Sequence, residues 1–212
     1  MNQTPQAAVS CTVRGVVLPA LFGSSWLLPP QPNPNDVVYT PDDLAGELVR
    51  FWSPTGRILE PCKGDGAFMR HLPPETEWCE IAAGRDFFDC AGGFDWIVGN
   101  PPYSIFGKFL LRSMELSENV GYLIPTPKLL GSYKLMSAIY AWGGIARVMV
   151  IGPSRVWDYN IGFALGAFHL QRGYAGPMHV SFRDKPNAPA EARRSRSLQP
   201  DVGTLNQKGQ TE

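Results

Sequence analysis

The chain has no excess of charge of either sign. Its 212 residues carry 19 Lys and Arg against 19 Asp and Glu, so there is no global electrostatic footprint for nucleic acid, although a local basic patch remains open. Cysteine is scarce. Cys11, Cys62, Cys79 and Cys90 form no C-x-x-C pair, and His71, His169 and His179 do not gather beside them. A zinc site is therefore not expected and no metal is assigned. Scattered reduced thiols fit a cytoplasmic protein in which they act as small buried apolar groups. A membrane-length apolar run is also missing. The segment GVVLPALFGSSWLL at residues 15–28 contains Pro19, follows a single Arg14 and offers no obvious cleavage site. It is too short to span a bilayer and reads as a poorly specified extension, not a secretory signal.

With 44% hydrophobic residues, the length suits one packed domain. Residues 1–35 end in the linker PPQPNPN, which can continue neither a helix nor a central strand. A compact domain is expected over residues 36–182, and residues 183–212, almost without large apolar side chains, read as a disordered polar tail. Arg183, Lys185, Arg193, Arg194 and Arg196 outnumber Asp184 and Glu191 there. A solubilising tail is the preferred reading and a phosphate-contacting arm the sharper one.

Inside the domain, strands and helices alternate. Helices are expected over residues 41–52, with Thr40 as N-cap and Pro41 at the first position, and over 66–72, 105–116 and 128–142. Strands are expected over residues 57–60, 77–81, 95–99, 120–124, 145–151, 163–170 and 178–182. That order argues for an α/β fold with a doubly wound, mostly parallel sheet.

Three places in this frame carry chemistry. The first is ILEPCKGDGAF, residues 58–68, at a strand-to-helix turn. Gly64 and Gly66 allow a tight turn and close backbone approach to a ligand, and Glu60 before Pro61 sets a carboxylate at the strand's end, facing a cationic ligand. The run is neither a three-glycine dinucleotide fingerprint nor a P-loop. The second is Glu80, at the end of the next strand, where a carboxylate can hold both hydroxyls of a ribose. Asp86 and Phe87 follow it, the one able to accept from an adenine amine and the other to pack on the ring. Each of these residues taken singly is more often a surface acid or a core aromatic.

The third is Asn100-Pro101-Pro102-Tyr103, after the apolar strand DWIVG. A planar amine such as the adenine 6-amino group is a poor nucleophile because its lone pair is delocalised. Two acceptors aimed at its hydrogens, the Asn100 side-chain oxygen and the Pro101 carbonyl, localise that pair and stabilise the charge developing on nitrogen. Pro101 and Pro102 fix the backbone and hold each preceding residue extended. Tyr103 offers a face on which a base can stack, and a base in duplex DNA must be flipped out to reach it. Ser104 and Lys108 lie close by and receive no role. Trp157 and Phe163 are candidates for a second aromatic wall, with a core role at least as plausible.

Tyr39-Thr40-Pro41, ILEPCKGDGAF, WCEI, GRDFF and DWIVGNPPYS, in this order, resemble the amino-methyltransferase family of S-adenosylmethionine-dependent DNA adenine methyltransferases of the gamma-like motif order. The match covers roughly residues 37–130, with weaker agreement to about residue 171. The resemblance implies a class I methyltransferase (Rossmann-like) sheet and transfer of a methyl group to the 6-amino group of adenine in DNA. It implies a cofactor site of Tyr39, Thr40, Pro41, Glu60, Pro61, Gly64, Gly66, Phe68, Glu80, Asp86, Phe87 and Asn100. In it Thr40, Glu60, Gly64 and Gly66 hold the methionine part, Glu80 the ribose, and Asp86 and Phe87 the adenine. RNA adenine and protein glutamine methyltransferases share the tetrapeptide, and a non-catalytic cofactor-binding module is a further alternative.

The chain departs from the family pattern in two ways. Five residues separate Glu80 from Asp86 and eight separate Asp86 from Asp95, too few for a parallel crossover helix. The sheet is thus expected to be trimmed at its third-strand edge. Nor does a large target-recognition domain follow residue 182. Specificity is expected to be low, loop-borne, or supplied by a partner or second protomer, as suits a phage or mobile element by analogy.

Overall fold

The computed structural model describes residues 12–13, 16–17, 38–153 and 164–183. The expectations for the remainder of residues 1–37, for Trp157 and Phe163, and for the basic tail beyond Arg183 lie outside the described residues. Residues 12–13 (β1) and 16–17 (β2) form a small antiparallel ribbon. Everything else belongs to one sheet and its helices.

In chain order these are α1 (Asp42–Trp52), β3 (Ile58–Glu60), β4 (Glu77–Trp78), β5 (Phe94–Gly99), α2 (Phe106–Leu116), β6 (Ser117–Pro125), α3 (Thr126–Leu130), α4 (Tyr133–Trp142), β7 (Gly143–Pro153), β8 (Ala164–Arg172) and β9 (His179–Phe182). The seven strands lie in the order β4-β3-β5-β6-β8-β7-β9. Pairings β3–β4, β3–β5, β5–β6 and β7–β9 are parallel, and β8 runs antiparallel to both neighbours.

Alternation along the central strands explains why helices cover both faces, because successive side chains point to opposite sides of a sheet. Trp96, Val98 and Leu123 pack with Leu44, Leu48 and Trp52 of α1 on one face. Ile97, Val120, Tyr122 and Ile124 pack with Leu110 and Met114 of α2 and Ile139 and Trp142 of α4 on the other. Gly121 permits the approach of α1, since a Cβ there would lie 2.8 Å from the Trp52 indole. On the opposite face the polar atoms are paired: Ser113 Oγ meets Tyr122 Oη at 2.5 Å, and Trp142 Nε1 donates to Met114 O at 2.8 Å.

The trimmed edge expected from the short spacing is present. Between β4 and β5 the chain makes only two 3-10 turns, Ile81–Ala83 and Phe87–Asp89, so β4 is the sheet's edge strand.

Three local expectations are corrected. Thr40 does not cap α1: the N-cap is Pro41, no side chain caps the helix, and the Thr40 hydroxyl accepts from Asn100 instead. Residues 66–72 form turns rather than a helix: Gly66 has φ +83, and beside the tighter 71→68 bond only 70→66 and 72→68 have helical spacing. The helix expected over 128–142 is two helices, since Ser132 starts α4 afresh by accepting from Leu135 N at 3.3 Å. No helix among the described residues is long and apolar enough to cross a membrane, and no group of His, Cys, Asp and Glu among them could hold a metal ion.

Candidate active site

The site lies where the first three central loops leave the carboxyl ends of β3, β4 and β5. In open parallel sheets, ligands bind at these ends. Leu59 pairs with Ile97 in register, so Glu60 and Asn100 emerge from adjacent strands. Gly99 lies beside the β3 end, where a Cβ would make ordinary contacts of 3.4 Å with Pro61 and 3.7 Å with Glu60. Cys62 stitches the loops further, its thiol donating to the Asn100 carbonyl at 3.3 Å.

The Asn100 amide is oriented by the segment that precedes α1. Its nitrogen donates to Val38 O and to Thr40 Oγ1, both at 3.1 Å. Because a carbonyl can only accept, the Val38 contact fixes which end of the amide is nitrogen. The other end, Oδ1, is buried and has no hydrogen-bond partner. A buried acceptor left unpaired costs about 1–3 kcal/mol, so the orphan calls for an explanation in function.

Glu60 is the second orphan. Its side chain is 1% exposed and Oε2 has no partner. Burial, with smaller contributions from Asp65 and Glu80, pushes its carboxyl up to about 9, while Lys63 and Arg70 pull it down. Such a group takes up a proton or accepts a cationic partner. Gly64 (φ +51) and Gly66 (φ +83) form the turn beside it. Glu80 is engaged with backbone: Oε2 accepts from Gly64 N at 2.8 Å and Oε1 from Ala82 N at 3.1 Å. It thereby joins the glycine turn to the first 3-10 turn while its oxygens retain further lone pairs. Asp86 caps the second 3-10 turn by accepting from Phe88 N at 2.9 Å.

Thr40, Pro41, Glu60, Pro61, Gly64, Gly66, Glu80 and Asn100 thus fall in one neighbourhood. Tyr39 joins them, its ring lying beside Gly64. Pro101 is buried, and Pro102 O accepts from Ile105 N at 3.2 Å, leading into α2.

The aromatic assignments differ from expectation. Phe68 is 2% exposed and stacks on Trp52, and Phe87 is 2% exposed and stacks on Phe109 at 5.1 Å. Both rings are committed to the core rather than to a ligand face. Tyr103 is 5% exposed and lines a cavity instead of standing as an open platform.

Several contributors escaped the sequence reading. Lys128 Nζ donates to Tyr103 O at 3.1 Å. Lys63 and Arg85 each lie over the Trp78 ring, at 4.3 and 4.0 Å. Cys79 and Cys90, both free thiols, bring their sulfurs to 2.9 Å and so close the loop between β4 and β5. Proximity in sequence signals none of these contacts.

The donor set fits S-adenosylmethionine. A buried carboxyl with an orphan oxygen suits a cationic amino acid group, the glycine turn admits close approach, and Glu80 and Asp86 present carboxylates to hydroxyl and amine donors.

No family model matches the chain, and no curated protein matches it. Solved structures do. One, assigned as a class I S-adenosylmethionine-dependent methyltransferase from Listeria monocytogenes, has a TM-score of 0.53 at 10% identity over 77% of this chain and 69% of that one. Another, assigned as an RNA methyltransferase from Pyrococcus horikoshii, has a TM-score of 0.52 at 14% identity over 63% and 86%. A type I restriction-modification methyltransferase subunit from Streptococcus thermophilus has a TM-score of 0.53 at 14% identity over 76% and 51%, so the chain spans about half its length. The sheet has the class I methyltransferase architecture.

Proposed function

We propose that this protein transfers a methyl group from S-adenosylmethionine to the 6-amino group of adenine in DNA. The observation that carries the reading is the orphan Asn100 Oδ1, buried at the tip of β5 with its nitrogen held by Val38 and Thr40. An acceptor fixed in advance costs no reorganisation when charge develops on the attacked nitrogen. The bound cofactor supplies an electrophilic methyl group. The chain's own residues do the rest.

Glu60 receives the cationic end of the cofactor, which converts a costly buried carboxyl into a paired one. Gly64 and Gly66 let the backbone approach it, while Glu80 and Asp86 accept from its ribose and its adenine amine. Asn100 Oδ1 accepts one hydrogen of the target amine and the Pro101 carbonyl the other, which localises the lone pair. The nitrogen, once methylated, is a strong enough acid to lose its proton to water without a dedicated base.

The order of the motifs and the Tyr39-Thr40-Pro41 segment favour DNA over the other substrates that this tetrapeptide serves. The test is incubation with labelled S-adenosylmethionine and separate DNA, RNA and glutamine-peptide substrates. Methyladenine in DNA, lost in Asn100→Ala, is the expected result. Label in RNA or peptide alone would overturn the assignment of substrate, and full activity in Asn100→Ala would overturn the mechanism.

A further inference from the structure

We infer that Cys79 and Cys90 form a redox latch: a low-molecular-weight disulfide converts the two thiols into an internal disulfide that locks the loop between β4 and β5. Formation of the bond is independent of the proposed reaction, and its effect on cofactor binding rests on that reading.

The two sulfurs stand 2.9 Å apart although eleven positions separate their residues. Both residues are free thiols. Their backbones are anchored on different parts of the domain. Cys79 N donates to Glu60 O at 2.8 Å and Cys79 O accepts from Lys63 N at 2.9 Å, which ties this residue to β3 and the glycine turn. Cys90 O accepts from Arg112 Nη2 at 2.7 Å, which ties it to α2, and Cys90 N donates to Phe87 O at 3.1 Å. With both ends held, the fold itself brings the sulfurs together. Closing the gap to the roughly 2.05 Å of a disulfide asks for a movement of under about 1 Å.

The chain between the two cysteines has modest support of its own. Residues 81–85 are exposed, and the segment folds into two 3-10 turns and a Glu80–Arg85 bridge. Segments of this kind open locally at low cost. Glu80 and Asp86, the carboxylates proposed to accept from the ribose and the adenine amine, both lie on it. A bond across the base of the loop removes open conformations and presents both carboxylates already in place. The ordering cost of binding falls accordingly.

The two thiols play unequal parts. Cys79 is buried, and burial, followed by its contact with Cys90, pushes its thiol up. It enters the exchange second. Cys90 is half-buried and is the sulfur open to attack on an oxidant. Its thiolate attacks one sulfur of the small disulfide and expels a thiolate, leaving a mixed disulfide on Cys90. Cys79 then gives up its proton, attacks the Cys90 sulfur and expels the second thiolate. Two protein thiols are oxidised, the small disulfide is reduced to two thiols, and the two protons end on them.

The test is incubation of the reduced protein with oxidised glutathione, without cofactor, then acid quench, alkylation and non-reducing peptide mapping. A Cys79–Cys90 bond within one chain, reversed by dithiothreitol, is the expected product. It should raise the thermal midpoint by about 5–10 °C. Cys79→Ser should stop at a glutathione adduct on Cys90, and Cys90→Ser should leave Cys79 unmodified. S-adenosylhomocysteine should bind the oxidised protein about tenfold more tightly than the reduced one. Pairing with Cys62 or Cys11, a bond between two chains, or a lower midpoint in the bonded form would overturn the latch. So would equal or weaker S-adenosylhomocysteine binding after oxidation. Mapping and melting are read without cofactor. A protein that binds no S-adenosylhomocysteine in either state would therefore overturn the proposed reaction while the mapped bond still stood.

Discussion

The two halves of the sheet are built differently. On one side, β4, β3 and β5 have two, three and six residues, and the polypeptide there is mostly loop. On the other, β6, β8 and β7 have nine, nine and eleven residues, paired antiparallel about β8. The long half buries its side chains, and the nitrogens it leaves unpaired, Arg147 Nε and His169 Nδ1, belong to side chains held by a second nitrogen, on Trp52 O and Asn119 Oδ1, each at 3.0 Å. The short half is where Asn100 Oδ1 and Glu60 Oε2 are left buried without partners. The amide and carboxyl oxygens left without partners lie where chemistry is proposed. The long strands provide the rigidity that lets the short ones keep such costly groups in place.

If that division is right, substitutions in the two halves should fail in different ways. Trp142→Ala removes a fully buried indole and its bond to Met114 O. It should cost about 3–5 kcal/mol in denaturant unfolding, with turnover per folded molecule retained. Asn100→Ala should do the reverse, lowering methyl transfer by about 10²–10³ with a thermal midpoint close to that of the parent, because relief of the unpaired Oδ1 offsets the two lost bonds to Val38 O and Thr40 Oγ1. A large loss of stability in Asn100→Ala would break the comparison.

Glu60 sharpens it. Its carboxyl, raised from 4.5 to about 9, binds a proton in the folded state across a range where the unfolded chain has released it. Stability without cofactor should therefore fall as pH rises through that window. Glu60→Gln should flatten this slope, raise stability at alkaline pH, and weaken S-adenosylmethionine binding about tenfold, read by calorimetry and thermal melts in parallel. A variant that is less stable and binds equally well would show Glu60 to be structural.

The smallest effect is expected on the long half. His169 stacks on Trp96 and contacts Asn119, and burial beside Arg147 lowers it from 6.5 to about 4. Here the unfolded chain binds more protons, so the stability present above pH 6.5 should be lost as pH falls toward 4. His169→Gln should remove only this acid-side slope.

The contrast also explains what could be read in the sequence. The strand order around the glycine turn, the trimmed edge and the convergence of Glu60, Gly64, Glu80 and Asn100 follow from short-range spacing. The fates of Phe68, Phe87 and Tyr103 do not. An aromatic beside a turn can face a ligand or the core, and the choice was made by Trp52 and Phe109, distant in sequence. Thr40 looked like a helix cap because its partner, Asn100, lies 60 positions away. The break before α4 was signalled by Gly131-Ser132, a stop followed by a cap.

The contact between Val38 and Asn100 also acts as a chemical gatekeeper. A backbone carbonyl has no proton to offer, so it admits nitrogen at that spot and repels oxygen. An Asp at position 100 would match the shape of Asn yet turn an anionic oxygen toward Val38 O. The short stretch ahead of α1, with no reacting group of its own, therefore screens which amino acid the tip of β5 can carry. It enforces an amide over an acid from 62 residues upstream.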